Sequence, residues 1–583
     1  MKKILPLLLG LLSLCYMASA QFSEINHSDR FDEPEDGYAK LLCLSNTHTA
    51  FIHFKLNGKV VFRLLDANFK LIAEQQADAS FDDLKSHNIT AMNDVAILGF
   101  FENKAGVNAI ITSVKKDDIV LTRMVFDKND GHLIADEQLQ TVPRQKTEVV
   151  MIWNVYAKKD ELLDKLLMPV SNYKLIRHRD GNHYTLISYN SKNENDDPNQ
   201  DTYIMQFDEN NQMIHDTHLK IAEKNIRKAG VLDACETEDN LIVLLLKCSS
   251  AASPKSKTTS KAAYLAPITF DNTPTTLENI NYTGTKNLKD AKMYFNPATK
   301  QYLIFSKKEL TPDTKGKPFA ASKVNETIRP KIYKTIYNTA SKQSQTTMLS
   351  SPALSSIASR KYHKQGALSL LPCLVSFSSN GDYRVIYEEY YLRYSQYSTN
   401  KTITSNNSGF SARSGSSSST RVKIHKGDIG IVDYLADNTE KSAMYIPKDY
   451  IIFNQMELNS YDYLYGAVSE MKRGSGLKSF FYLESNDKSM IVFNDEVANA
   501  ARVAEGKKVK TITGTEDCIG YFADLSGNNE MPVRQAVFSG DDKRPVGIFS
   551  ASDYDPERHV FITLKLDKAH PNKGVQVIGY KMD

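Results

Sequence analysis

Short stretches of alternating apolar and polar residues recur from residue 40 to the C-terminus, and they are rich in Tyr, Phe, Val, Ile and Thr. Such alternation is typical of half-buried β-strands. Apolar residues at helical spacing are confined to residues 159–167 and 496–505, with a single further turn at 81–86. We therefore predict an all-β chain with few short helices.

Two pieces of sequence recur along these strands. In the first, a polar turn precedes a strand with aromatic and branched residues, as in DGNHYTLISYN (180–190) and SNGDYRVIYEEYY (379–391). In the second, a strand ends in a large apolar residue and an acidic or amide residue, as in VFRLLDANFKLI (61–72) and YIMQFDENNQMI (203–214). Asp or Asn at a strand end begins a turn by bonding to the backbone that follows, and Asn or Gly tolerates positive φ within it. The two pieces therefore predict β-hairpins.

Two hairpins and the connection between them make a unit of four antiparallel strands. Because four-stranded sheets repeated around an axis are the blades of a β-propeller, we predict a propeller of seven or eight four-stranded antiparallel blades. The last unit has room for about three strands, so we expect residues 22–31 to supply the fourth and close the ring. Two or three separate β-sandwich domains are the alternative, but no linker divides the units. The predicted units are residues 39–75, 94–141, 173–221, 230–282, 291–349, 368–447, 478–538 and 546–583.

Three long inserts interrupt the units instead of separating them. They lie near residues 249–261, 309–329 and 402–420, each between the two hairpins of its unit, and the first and last are rich in Ser and Thr. Segments with so few apolar residues bury too little surface to offset the entropy of ordering them. We therefore predict loops at all three positions, within a single propeller domain at 21–583.

The N-terminal residues predict export. Lys2 and Lys3 precede an apolar run at 4–14, and Ala18-Ser19-Ala20 offers a cleavage site before Gln21. This is the pattern of a secretory signal peptide, here residues 1–20, and it predicts a periplasmic or cell-surface protein. Leu14 makes lipidation of Cys15 unfavourable. Later apolar runs are shorter than the about 20 residues that span a bilayer, so we predict no transmembrane segment in the mature chain.

Composition and motifs exclude several classes of function. Lys+Arg (72) and Asp+Glu (69) nearly balance, so we predict no nucleic-acid partner. Trp153 is the single Trp, which excludes a regular WD-repeat propeller. The chain has no G-x-S-x-G, P-loop or H-E-x-x-H motif. We predict no cofactor and no metal site, since no Cys/His set has zinc spacing and an acidic loop at 193–201 lacks EF-hand spacing.

Five cysteines remain after the signal peptide, and they are too sparse for a disulfide framework. We expect buried, unpaired thiols, with a bridge between Cys235 and Cys248 across one hairpin as the alternative. The segment RHRDGNH, which begins at Arg177, also allows two interpretations, a cationic turn for an anionic ligand or a solvated hairpin. Its Asp-Gly pair favours the hairpin.

A tyrosine-rich strand is the strongest candidate for ligand binding. Tyrosines surround Glu388 and Glu389 in 383–397, and a second cluster lies at 461–465. Tyrosine offers a flat apolar face with a polar tip, which suits sugar or peptide surfaces, although ordinary strand packing uses the same residues. Because side chains alternate along a strand, one set should be core and the other, with Glu388 and Tyr390, exposed. The predicted ligand-binding residues are Tyr390, Tyr394, Glu388, Arg393, Tyr461 and Tyr463.

The chain resembles the exported β-propeller-like proteins of unknown function of Bacteroidota. The resemblance rests on MKKILPLLLGLLSLCYMASAQ, the Y-x-x-x-F-D repeats, DYRVIYEEYYLRYSQY (382–397), GDIGIVDYLADNTEKSAMYIPK (427–448) and FFYLESNDKSMIVFND (480–495). It implies an exported propeller and carries no catalytic residues. We expect a non-catalytic propeller that binds an envelope protein or glycan. The alternatives are a glycan hydrolase or lyase with its site at the propeller channel, and a structural partner of an outer-membrane complex.

Overall fold

The computed structural model contains eight antiparallel sheets, formed in chain order. It describes residues 22–582 except 35–36, 56, 79–95, 116–117, 144–172, 190–201, 239, 252–258, 272, 283–287, 309–324, 330, 363–367, 369, 401–415, 455–474, 486–487, 528, 539–541 and 571–573. The predicted signal peptide and the acidic loop at 193–201 therefore lie outside the described residues. Among the described residues, no helix has both the length and the apolarity needed to cross a membrane.

The first strand, β1 (Phe22–His27), belongs to the last sheet, and the first four blades follow it. Blade 1 holds β2 (Tyr38–Cys43), β3 (Thr49–Phe54), β4 (Lys59–Leu65) and β5 (Leu71–Asp78). Blade 2 holds β6 (Ala96–Asn103), β7 (Gly106–Lys115), β8 (Asp118–Phe126) and β9 (Leu133–Pro143). Blade 3 holds β10 (Tyr173–Arg177), β11 (Tyr184–Tyr189), β12 (Thr202–Phe207) and β13 (Met213–His218). Blade 4 holds β14 (Ile226–Glu236), β15 (Ile242–Ala251), β16 (Thr259–Pro267) and β17 (Glu278–Asn279).

The remaining blades carry additional elements. Blade 5 holds β18 (Leu288–Asn296), β19 (Gln301–Lys308), β21 (Ile332–Asn338) and β22 (Gln343–Met348), while β20 (Asn325–Ile328) pairs with the next blade. After α1 (Pro352–Tyr362), blade 6 holds β23 (Leu370–Phe377), β24 (Tyr383–Asn400), β25 (Ser416–Tyr434), β26 (Glu440–Ile446) and β27 (Tyr450–Asn454). After α2 (Ser475–Lys478), blade 7 holds β28 (Phe480–Ser485), β29 (Lys488–Glu496), α3 (Val497–Ala504), β30 (Cys518–Asp524) and β31 (Arg534–Ala536). Blade 8 holds β32 (Pro545–Gly547), β33 (Asp553–Asp555), β34 (Val560–Asp567) and β35 (Val575–Met582), with β1 at its edge.

The hydrophobic core is divided among the contacts between neighbouring blades. Each of eight buried clusters draws its residues chiefly from two adjacent blades. Phe62 of blade 1 stacks on Phe126 of blade 2 with ring centroids 4.1 Å apart, and Leu41 of blade 1 packs with Ile562 of blade 8. Because blade 8 packs on blade 1, the sheets form a closed ring. The predicted β-propeller is confirmed with eight blades, and the sandwich alternative is wrong.

The N-terminal strand closes this ring. β1 pairs antiparallel with β35, from Phe22 opposite Met582 to His27 opposite Ile578. The Ser28 backbone N–H donates to the Val577 carbonyl at 2.8 Å, and the Val577 N–H donates to Ser28 Oγ at 2.9 Å. Phe31 forms a further bridge with Val575. The prediction that residues 22–31 supply the missing strand of the last blade is confirmed.

Side-chain caps form the predicted turns. Asp66 Oδ1 accepts the backbone N–H groups of Asn68 and Lys70, both at 2.8 Å. Asp208 Oδ1 accepts those of Asn210 and Gln212 at 2.9 and 2.8 Å. These bonds satisfy backbone donors that the turn leaves without a strand partner, so a carboxylate at the strand end specifies where the strand stops.

Strands reach into all three predicted loops. Residues 249–251 and 259–261 belong to β15 and β16, residues 325–328 form β20, and residues 416–420 belong to β25. The polar composition of these segments did not predict their strands, because a neighbouring strand provides hydrogen-bond partners for the backbone whatever the side chains are. Ser250 lies opposite Ser260, for example, and their hydroxyls are 2.8 Å apart. The predicted extents of these loops were therefore too long.

A tyrosine at the start of the second strand links adjacent blades in the same way twice. In blade 6, Lys334 Nζ of blade 5 donates to Tyr383 Oη at 2.7 Å, and Tyr383 donates to Asn438 Oδ1 at 2.8 Å. In blade 3, Arg123 of blade 2 donates to Tyr184 Oη at 2.6 Å, and Tyr184 donates to Asn211 at 3.2 Å. Both Asn residues have positive φ, at 72° and 66°. The repeated arrangement fixes each blade against its predecessor.

Replacing Lys334 by methionine is expected to stabilise the protein near neutral pH and to lose this advantage in base. Burial lowers the pKa of Lys334 to about 8, below the value near 10.4 of an unfolded chain. The folded state thus binds this proton more weakly, which costs about 3 kcal/mol below pH 8 and progressively less as the pH rises to about 10.5. Loss of the bond to Tyr383 offsets about 1 kcal/mol of the gain.

Urea denaturation of wild type and Lys334→Met at pH 7 and pH 10 measures this effect. The other titrating groups contribute equally to the free energies of unfolding of the two proteins, so they cancel in the difference. Because the cost of the charged Lys334 falls as the pH rises, this difference must be smaller at pH 10 than at pH 7. The exposed Lys331, changed to methionine, is the matched control. A difference between wild type and Lys334→Met that is the same at both pH values would contradict the prediction.

Candidate functional site

The two ends of the propeller differ in what their connections carry. The turns between first and second strands and between third and fourth strands open on one end, which we call the turn face. The remaining connections open on the other end, the connection face. The three α-helices of the described residues, together with β20 and β27, lie in connections of the second kind. Since recognition residues concentrate on loops held by a rigid scaffold, the connection face is the candidate functional end.

A long hairpin rises from blade 6 on the connection face. β24 and β25 pair from Tyr383 opposite Tyr434 to Asn400 opposite Ser416. We call its outer part, residues 391–400 and 416–425, the arm. At about 3.3 Å per residue the arm extends about 30 Å past the blade. β20 pairs with one edge of the arm and β27 with the other.

A buried ion pair lies at the base of the arm. Lys448 Nζ donates to Glu388 Oε1 at 2.5 Å, and Lys426 Nζ is 3.7 Å from Glu388 Oε2. The Lys448 side chain is 0 % exposed and that of Glu388 is 8 % exposed. Burial raises the pKa of Glu388, but the two lysines outweigh burial and hold this pKa below its ordinary value. Glu388 is therefore an ionised carboxylate enclosed between blades.

Asp449 ties the arm to blade 7. Its carboxylate accepts hydrogen bonds from His425 Nδ1 at 2.8 Å, from the Tyr391 hydroxyl at 2.9 Å and from the Thr511 hydroxyl at 2.6 Å. Burial opposes ionisation of Asp449, but these hydrogen bonds and the His425 charge lower its pKa. Tyr391 also stacks on His425, with ring centroids 4.5 Å apart. Since Thr511 follows α3, the network fixes the direction of the arm relative to blade 7.

The expected exposure of Glu388 and Tyr390 is wrong. Both residues are 6 % exposed, and Glu389, on the other face of the strand, is fully buried. The physical reason is that β24 is the second strand of its blade, so blades 5 and 7 cover its two faces. A bulge also occurs here, because Glu388 lies opposite Ile429 whereas Tyr390 lies opposite Lys426. The alternation of side chains along β24 identified the two faces of the strand, but it did not show that neighbouring blades bury both faces.

The other predicted ligand-binding residues have no described side chains. Arg393 and Tyr394 lie on β24 in the arm, opposite Lys423 and Val422, but only their backbone is described. Tyr461 and Tyr463 fall outside the described residues. The structure thus brings Glu388 and Tyr390 together at the base of the arm, and the ligand-binding role of the whole set stays a prediction.

The first strands of the blades form the wall of the central channel. Strand β2 lies against β6, β6 against β10, β10 against β14 and β14 against β18. Neighbouring blades cover the faces of each sheet, so an accessible side chain on a first strand is reached from the channel. Such side chains include Lys40 on β2, Arg177 on β10 and Lys292 on β18.

These three cations have no carboxylate partner among the described residues. Lys40 Nζ donates to the carbonyl of Ser550, and the Arg177 guanidinium lies 5.1 Å from the centroid of the Phe101 ring. Burial lowers the pKa of both groups, and Asp553 of blade 8 only partly counters this effect. In the part of the chain that the structure describes, the channel wall therefore holds cations that are not directly paired with a carboxylate.

The five cysteines that the structure describes are unpaired, as predicted, but of these only Cys248 and Cys518 are buried. Cys373 is exposed on β23, and burial on its protein side raises the pKa of the thiol to about 11. Cys248 lies opposite Ala229 and Cys235 opposite Val243, so the register separates the two residues and the alternative bridge is wrong.

The RHRDGNH segment forms the favoured hairpin between β10 and β11, with Arg177 at the end of β10.

Sequence analysis did not select Lys448, Asp449 or His425, nor the channel residues Lys40 and Lys292. Lys448 and Asp449 are neighbours in PKDY, and His425 lies in KIHKGD, but none of these stretches carries a recognisable motif. Only the ring brings the groups of each site together. A cation in the middle of a predicted first strand, as in AKLLC at 39–43 and AKMYF at 291–295, is the local signal that was present.

No protein-family model matches the chain, and no curated protein matches its sequence. Among solved structures, a mutant of the Synechocystis apocarotenoid oxygenase aligns over 96% of this chain and 94% of its own, at 8% identity and a TM-score of 0.30. A polysaccharide lyase aligns over 87% and 92%, at 8% identity and a TM-score of 0.31. The β-propeller domain of the Trilobed protease from Pyrococcus furiosus aligns over 73% and 97%, at 9% identity and a TM-score of 0.27. These likenesses concern the fold alone.

Proposed function

We propose that this protein is an exported, non-catalytic propeller that binds an acidic glycan of the cell envelope in its central channel. The observation that carries the proposal is the set of three channel cations, Lys40, Arg177 and Lys292, without carboxylate partners among the described residues. A partly desolvated cation is stabilised by a carboxylate, which a ligand would supply here. The planar guanidinium of Arg177 suits a carboxylate in particular. Export rests on the predicted signal peptide.

Aromatic side chains on the same strands favour a glycan over an acidic peptide. Tyr38 lies on β2 two residues before Lys40, and Tyr294 lies on β18 two residues after Lys292; both are half-buried. Aromatic rings present flat apolar faces on which sugar rings pack, while the cations bind the carboxylates of the sugar. The blades of a propeller surround a central channel, and a glycan chain would enter the protein there.

The carboxylates near the channel favour binding over hydrolysis. Glycoside hydrolysis uses two carboxyl groups about 5 to 10 Å apart, one of them protonated. Burial raises the pKa of Asp553, as a general acid requires. Its neighbour Asp555 is engaged, however, because it pairs with Arg558, and Asp233 elsewhere on the first strands pairs with Lys174. Glu388 is enclosed with Lys448. This arrangement supports a binding site.

Calorimetry with polygalacturonate as the acidic glycan and dextran as a neutral glycan tests the proposal. We expect binding of polygalacturonate that weakens with added salt, and none of dextran. Arg177→Gln and Lys292→Gln should each weaken binding about 10- to 100-fold, because each removes a charge-assisted hydrogen bond. Lys331→Gln, outside the channel on blade 5, is the matched control and should bind normally.

Four results would contradict the proposal. Equal binding of both glycans, or full binding by the channel variants, would remove the role of the three cations. Binding of poly-glutamate but not of polygalacturonate would favour a protein ligand. Shortening of the glycan during incubation, followed by chromatography, would show that the channel is catalytic and would favour the hydrolase or lyase alternative.

A further inference from the structure

A cleft opens between blades 6 and 7 on the turn face, at the opposite end from the arm. It has a volume of about 290 Å³. It lies beside the turns that join β23 to β24 and β25 to β26, and beside the adjoining ends of β28 and β29. Ligand pockets in proteins measure about 300 to 1,000 Å³, so this cleft lies just below the lower end of that range.

Polar side chains line most of the cleft, and they hold one another in place. Arg384 Nε donates to Asp433 Oδ1 at 2.6 Å, Nη2 donates to Oδ2 at 3.2 Å, and Nη1 donates to Ser489 Oγ at 2.5 Å. Burial lowers the pKa of Arg384, but the Asp433 carboxylate outweighs it and raises this pKa above its usual value. On the blade 7 side, Ser376 Oγ donates to Glu484 at 2.7 Å. The donors and acceptors of the cleft are therefore fixed before any ligand arrives.

Packing alone does not require this polar lining. Arg384 follows the tyrosine that begins the second strand of blade 6, and the residue in the same place in blade 3 is the fully buried Thr185. A partly buried Arg–Asp pair gains little net stability over apolar packing, because both charges lose water. Blade 6 thus has an Arg–Asp pair where blade 3 has a small buried threonine. Binding of a ligand explains this difference better than the packing of one blade on the next.

The lining also indicates what kind of ligand fits. Arg384, Lys441 and Lys488 balance the three carboxylates Asp382, Asp433 and Glu484, so the cleft carries no net charge. Among the described residues Lys488 has no ion-pair partner, and it offers donors at the rim. Serine hydroxyls can both donate and accept. A small neutral molecule with many hydroxyl groups can add hydrogen bonds to such a lining, whereas an apolar molecule would displace water from it without replacing the hydrogen bonds of that water.

We propose that the cleft between blades 6 and 7 is a second binding site, which takes a single neutral sugar residue. The Arg384–Asp433 pair and the serine hydroxyls, which line the cleft, bind the sugar hydroxyls. This inference rests on the cleft alone and does not depend on the channel binding an acidic glycan.

NMR titration of the full mature chain with glucose, galactose, mannose and N-acetylglucosamine tests the site, with galacturonate as a charged comparison. We expect saturable binding of at least one neutral sugar in the millimolar range and weaker binding of galacturonate. Ser376→Leu should fill the cleft and abolish binding, and Lys488→Ala should weaken it several-fold. Arg177→Gln, in the channel, should leave it unchanged, which separates this site from the channel.

Two results in solution would overturn the proposal. One is the absence of saturable binding for all four neutral sugars, and the other is unchanged binding by Ser376→Leu that retains the wild-type circular dichroism and melting temperature. Since Ser376→Leu acts by bulk, Lys488→Ala at the rim provides an independent readout if the leucine variant fails to fold. Crystals soaked in the bound sugar should show it beside Arg384, and density elsewhere would refute the assignment.

Discussion

Replacing Lys448 by methionine is expected to lower the free energy of unfolding by about 3 to 5 kcal/mol. The change removes the fully buried partner of Glu388 and leaves an enclosed carboxylate with only Lys426, 3.7 Å away. An uncompensated buried charge is among the most costly defects that a single substitution creates. The free energy of unfolding from urea denaturation at pH 7 measures the effect.

The double variant Lys448→Met with Glu388→Leu should recover most of this loss. It removes both charges and replaces them with apolar groups of similar size, which is often neutral in other proteins. Lys441→Met on the same blade is the control, since its side chain is 59 % exposed, and it should change stability by less than about 0.5 kcal/mol. Equal losses in the single and double variants would show that packing of the lysine stem, and not the charge, stabilises this region.

Deleting residues 22–28 from the mature chain is expected to have the other large effect. The deletion removes β1, the hydrogen bonds of Ser28 with Val577 and the ring of Phe22, which lies 4.9 Å from Phe522 and 5.6 Å from Tyr580 between centroids. It also leaves β35 as an unpaired edge, which favours aggregation. We expect several kcal/mol of lost stability and concentration-dependent association, measured by denaturation and by light scattering.

A point substitution isolates the role of the ring of Phe22. Phe22→Ala should cost about 2 to 4 kcal/mol, because it empties an aromatic contact between blades 7 and 8. Ile25→Ala on the same strand is the control, since Ile25 is 48% exposed and its loss should cost little. A chain without residues 22–28 that melts like wild type would mean that β1 does not hold the ring closed.

Local features explain why the blades could be predicted from the sequence. Turns such as the one capped by Asp66 are specified within five residues, and strand alternation is specified within one strand. These signals recur in order along the chain, so blade bounds follow from them. Closure of the ring by the N-terminal strand was predicted by counting the strands of each unit, because the last unit had room for only about three.

The candidate site depends on contacts that the sequence does not encode locally. Glu388 and Lys448 are 60 residues apart, and Lys40, Arg177 and Lys292 lie on three different blades. Exposure of Glu388 and Tyr390 was predicted from alternation, but whether a face meets water depends on the neighbouring blades. The local sequence feature that did point to the channel was a charged residue within the apolar pattern of a blade's first strand.

The closure by β1 has a consequence for how the chain folds. Ser28 and Val577 are separated by 549 positions, so the first strand to be synthesised waits for a partner that is nearly the last. Seven blades can form as the chain lengthens, but the eighth assembles only when both ends are present, and such distant contacts form slowly. Until then the incomplete ring has two unpaired edges. During this interval the chain is most prone to associate wrongly with other copies of itself.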